Sequence, residues 1–167
     1  YRSLSGPDIR GALSAFPMQE DHPDATAVFL LNYGSMEMFD DGTQVYKHTV
    51  RCKILNERGY YLARKSISYR EGYSRVKILY ANTIRPDGTT VPLREEDIID
   101  SAAYSQYEEY TDIKEKKFTM AAIEPGCIVE YAYEVKHTKP FLLHDYYTRF
   151  ALREFFPSGQ LSEFCFD

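Results

Sequence analysis

The sequence predicts an all-β protein, an antiparallel β-sandwich with short helical turns confined to an N-terminal arm and one long loop. Three observations predict it. Glycine turns recur at Asp40-Asp41-Gly42-Thr43, Pro86-Asp87-Gly88-Thr89 and Glu124-Pro125-Gly126, where glycine takes positive φ without a Cβ clash and proline presets the first corner. Between them Val, Ile, Leu and Tyr alternate with polar residues, the period of two that a pleated strand imposes. The chain carries 15 Tyr and 10 Phe but no Trp, a bias that suits half-buried strands.

Taken in order, residues 1–24 are polar, hold Pro7, Pro17 and Pro23, and read as an N-terminal arm with a weak helix from Asp8 to Phe16 that Asp8 would cap. Residues 25–167 read as the sandwich domain. Strand signals run over Ala25–Leu31 and Ser35–Phe39, with Gly34 and Gly42 as breaks. Thr43–Asn56 is the cleanest strand: Val50, Cys52 and Ile54 alternate with Arg51, Lys53 and Leu55, predicting one dry and one mostly wet face. Glu57-Arg58-Gly59 connects it to a hairpin partner through Tyr61, Ala63 and Ile67. Ser74–Ile84 places Val76, Ile78 and Tyr80 on one face, and Thr89–Leu93 returns from the Pro-Asp-Gly turn as a short strand. Arg94–Lys114 is a long polar interval with a helical turn near Glu95–Tyr104, and loops of that length are uncommon in a compact domain unless they serve a function. Phe118–Ile123 and Cys127–His137 are strands, the second with Val129, Tyr131, Tyr133 and Val135 in phase. Pro140 ends it, Phe141–Phe156 is extended and aromatic, and Leu161–Phe166 starts another strand. Alternation that still runs at the last residue, and a first residue that is Tyr, predict a fragment of a longer, processed or excised protein.

The net charge of −5 repels phosphate backbones and anionic lipid, so no nucleic-acid partner is expected. Lys114, Lys116 and Lys117 are interrupted by Glu115 and read as a solvated face. No apolar run approaches the length of a membrane span, and no basic leader precedes a hydrophobic stretch.

Catalytic chemistry finds no clear set of residues. Cys52, Cys127 and Cys165 are odd in number, and the first two fall in phase with core positions. Cys127 with His144 and Asp145 could be drawn as a thiol triad, but adjacent residues on a strand face opposite ways, and the strand setting of Cys127 favours a structural role. His22, His48, His137 and His144 lack ligand spacing, while Glu20, Asp21 and Asp24, like Glu95, Glu96, Asp97 and Asp100, read as solvated acidic turns. Hence no catalytic residue, cofactor or metal ligand is assigned. Tyr104, Tyr107 and Tyr110 are the candidate contacts for a partner or ligand, because loop tyrosines offer stiff contact area; the alternative is that they fold back over a sandwich edge.

The segments His22–Leu31, Asp41-Gly42-Thr43, Val50–Gly59, Ala81–Gly88 and Phe118–Tyr131, in that order, resemble the bacterial domain of unknown function 3857 from about Pro23 to Asp167. The matching positions, Asp41, Gly42, Pro86, Asp87, Gly88, Pro125, Gly126 and Glu130, read as turn or strand residues. The resemblance implies a sandwich that precedes a transglutaminase-like domain in exported or envelope-associated proteins, with the catalytic Cys, His and Asp beyond Asp167. The expectation is a non-catalytic accessory domain, periplasmic, envelope-bound or secreted, whose partner is that downstream domain. The alternative is an independent glycan- or peptide-binding module.

Overall fold

A computed structural model describes residues 2–3, 7–14, 20, 23–102 and 112–138. Its two Asp-Gly-Thr turns are built alike. The Gly42 N–H donates to Phe39 O at 2.9 Å and the Phe39 N–H to Thr43 O at 2.9 Å; Gly88 and Arg85 repeat the pattern with Arg85 O at 2.8 Å and Thr89 O at 2.9 Å. Gly42 and Gly88 sit at φ of 81° and 86°, so each loop is a type I turn closed by a left-handed bulge residue. The carboxylates of Asp41 and Asp87 accept from the Thr43 and Thr89 N–H groups at 2.8 Å, an Asx contact that fixes the loop locally. One turn joins β1 (Ala27–Met38) to β2 (Gln44–Ile54), and the other joins β4 (Ser74–Ile84) to β5 (Thr90–Pro92).

β1, β2, β8 (Ile128–His137), β4 and β5 form a five-stranded antiparallel sheet in that order; β3 (Arg64–Arg70), β7 (Ile113–Thr119) and β6 (Ile99–Ala102) form a three-stranded one. The fold is thus the expected antiparallel sandwich. Pro92 lies on the edge strand β5, where its missing N–H breaks no ladder.

Several boundaries differ from the sequence reading. β1 is one strand that passes through Gly34, since the ladder is a backbone property and Gly34 pairs with His48. Residues Glu57–Ala63 form a 3₁₀ turn and not the start of a strand; Asn56 opens it by accepting from the Arg58 N–H at 3.1 Å. The following β3 pairs with β7 in the other sheet, not with β2 as a hairpin. The lysine run Lys114–Lys117 belongs to β7, the middle strand of the smaller sheet, and that strand ends at Thr119, before most of Phe118–Ile123. The long interval contains a 3₁₀ turn at Glu95–Asp97 followed by β6.

Val50, Cys52, Ile54, Val129, Tyr131, Tyr133 and Val135 of the larger sheet pack on Ala63, Ile67, Phe118 and Met120 from the side of the smaller one. A register shift between Ile78 and Tyr80 rotates Tyr80 away from Val76 and Ile78, correcting the expectation that the three share a face. The face expected to be wet is buried around the end of β2: Lys53 is 3% exposed, Leu55 7%, and Ile84, Ile128 and Glu130 0%. Residues 2–3 and the helix α1 (Pro7–Ser14) reach this face through hydrogen bonds to Glu130, Arg51 and Lys53. Ala25 and Thr26 are stitched to the end of β2, with Leu55 N–H to Thr26 O at 3.0 Å and Asn56 Nδ2 to Ala25 O at 2.9 Å.

Candidate functional site

Arg51, Glu130 and Asn82 stand directly opposite one another on β2, β8 and β4, so ladder pairing alone lines them up across three adjacent strands. Arg51 Nε donates to Glu130 Oε2 at 3.2 Å, and Asn82 Nδ2 donates to Glu130 Oε1 at 3.1 Å. A carboxylate with 1% of its side chain exposed needs such donors, because an unpaired buried charge is strongly disfavoured. Ser3 completes the row: its hydroxyl donates to Glu130 Oε1 and accepts from Asn82 Nδ2 at 2.9 Å. Two cations donate to main-chain carbonyls of the same N-terminal segment, Arg51 Nη2 to Arg2 O at 3.0 Å and Lys53 Nζ to Leu13 O at 3.1 Å. This outer row binds hydroxyl and carbonyl groups; among the described residues it holds no nucleophile set up for catalysis.

A second polar cluster lies between the sheets. His48 Nε2 is 2.7 Å from Asn32 Oδ1 and its Nδ1 is 3.2 Å from Tyr133 Oη; the amide oxygen can only accept, so Nε2 carries the proton and the Tyr133 hydroxyl donates to Nδ1. Burial, helped by the Lys65 charge, lowers the His48 pKa to about 4, leaving the ring neutral near pH 7. Lys65 Nζ sits 5.8 and 5.7 Å from the Tyr131 and Tyr133 ring centroids, and burial lowers its pKa too. Phe118 meets Tyr131 edge-on at 5.9 Å. A neutral imidazole with both nitrogens engaged is a packing group here.

Of the residues singled out by sequence, Cys52 and Cys127 are 1% and 0% exposed and unpaired, and burial pushes both thiols up. Both therefore stand as the core residues their phase predicted. Cys165, His144, Asp145 and the candidate contacts Tyr104, Tyr107 and Tyr110 lie outside the described residues. Asp97 and Glu96 pair with Arg94 at 2.9 and 2.7 Å on the surface, and Asp100 holds Lys116 at 3.0 Å and Tyr69 Oη at 2.7 Å. Sequence reasoning missed the Arg51–Glu130–Asn82 row. Its signal was Glu130, the single charge in the run Ile128-Val129-Glu130-Tyr131-Ala132: a strand apolar on both faces is covered on both, so a charge inside it must be paired.

The class is thus a two-sheet antiparallel sandwich whose outer face carries a buried, strand-crossing polar row. The chain belongs to the family described as a domain of unknown function with solved structure, DUF3857, whose model matches residues 40–162. No curated protein matches it. A crystal structure of a "putative protease" from Parabacteroides distasonis is similar in fold, with a TM-score of 0.65 at 18% identity; the match covers 69% of this chain and 23% of that one. The chain therefore spans about a quarter of that protein's length.

Proposed function

We propose that this chain is a non-catalytic accessory domain of a transglutaminase-like protein in the bacterial cell envelope or periplasm, packing against a downstream cysteine-type catalytic domain and positioning its substrate. The observation that carries this reading is proportion: the similar fold fills 23% of a longer chain described as a "putative protease", as a module serving another domain would. The chain's own groups agree with a supporting role. Both described thiols are packed in the core and raised in pKa, whereas a nucleophilic cysteine needs exposure and a lowered pKa.

Steady-state kinetics on the full-length parent protein test this. Deleting residues 1–167 should raise KM for a peptide substrate about tenfold while kcat changes little, the pattern of lost positioning contacts. A parent reading frame without Cys, His and Asp after Asp167, or a downstream part that keeps its full kcat/KM alone, would overturn the reading.

A further inference from the structure

The contacts between the outer row and the N-terminal segment have the chemistry of a peptide site. We propose that the outer face of the five-stranded sheet is a peptide-docking site selective for a seryl or threonyl hydroxyl at Glu130 and Asn82, and that the N-terminal segment carrying Ser3 and α1 occupies it as an exchangeable ligand in cis.

Main-chain atoms supply two of the anchors, Arg2 O at Arg51 and Leu13 O at Lys53. Such contacts fix the path of a segment whatever its side chains. Selectivity comes from the third anchor. Ser3 Oγ donates to Glu130 and accepts from Asn82 in one place, so an occupant must offer a group that does both, which a hydroxyl does and an alkyl group does not. An alanine there removes one hydrogen bond from the buried Glu130 carboxylate and one from the half-buried Asn82 amide.

Among the described side chains of α1, Ile9 and Leu13 are half-buried, while Arg10 and Ser14 are exposed. Eight residues with Gly11 among them are too few for a helix to persist alone. Its order therefore comes from the site. The site, by contrast, is preorganised by its own sheet: Arg51, Glu130 and Asn82 are held opposite one another by strands hydrogen-bonded along their length. A rigid polar receptor and a segment that folds only when seated are the parts of coupled folding and binding, and such a segment opens without unfolding what it sits on.

The test introduces a protease site between Ser14 and Pro23 into the full chain, folds it, and cleaves it. The released N-terminal fragment should dissociate and rebind the sandwich saturably at one to one, followed by fluorescence anisotropy of a labelled fragment. A fragment with Ser3→Ala should rebind at least about tenfold more weakly, and one with Ser3→Thr within about threefold of the natural sequence. A fragment that leaves only when the sandwich melts, a sandwich that loses its ellipticity once the fragment departs, or equal affinity for the natural and Ser3→Ala fragments would each overturn the proposal.

Discussion

His48 makes the sharpest prediction at the level of single residues. Its pKa is held at about 4 in the fold against about 6.5 in an unfolded chain. Between those values the unfolded state binds more protons, so stability rises with pH across that window and falls as pH drops through it. The loss approaches about 3 kcal/mol near pH 4. Urea midpoints at pH 7 and pH 4.5 should therefore differ more for the natural protein than for His48→Gln, and the His48 ring should titrate near pH 4 by NMR. Equal pH dependence in the two proteins would contradict the buried neutral imidazole. Glu130 is the other decisive residue: Glu130→Ala strands the Arg51 guanidinium under cover and should cost about 3–5 kcal/mol in the same urea experiment.

At the level of elements, the glycines that shape the turns can be ranked. A Cβ at Gly59 would lie 2.5 Å from Thr26 O and 3.3 Å from Ile54 Cγ2, so Gly59→Ala must push the start of β1 off the end of β2. Gly88→Ala meets open space, its nearest atom being Ile9 Cγ2 at 4.0 Å, but forces φ of 86° on a residue with a side chain. The expected losses are about 1–3 kcal/mol for Gly59→Ala and about 1–2 kcal/mol for Gly88→Ala. Only the first should also weaken amide protection at Leu55 and Asn56.

The strands were legible to different degrees for physical reasons. Thr43–Asn56, Ser74–Ile84 and Cys127–His137 announced themselves because each lies against the core and sends apolar residues into it, as Val50, Cys52 and Ile54, Val76 and Ile78, and Val129, Tyr131, Tyr133 and Val135 do. β7 did not, because its position is set by pairing with β3 and β6 on either side, and Lys114 and Lys116 are held by partners no local window contains, Glu71 at 2.5 Å and Asp100 at 3.0 Å. The flip at Tyr80 was equally hidden, since one extra residue in a strand leaves no mark on composition. The outer polar row required knowing that Ser3 and Glu130, 127 positions apart, meet.

For the whole molecule, the larger sheet is packed on the smaller sheet within, and the part of its outer face around Lys53, Ile84, Ile128 and Glu130 is buried and reached by residues 2–3 and α1. The two covers differ in kind. The inner one is an apolar core that ties both sheets into one cooperative unit, and the outer one holds the N-terminal segment through polar anchors that can release locally.

Hydrogen exchange followed by mass spectrometry on the intact chain tests that division most directly. Amides of α1 should exchange roughly a hundredfold or more faster than those of Val50–Lys53 and Ile128–Ala132, and Ser3→Ala should speed α1 further while leaving the two strands unchanged. Exchange of α1 and the strands at one common rate, unmoved by Ser3→Ala, would contradict it.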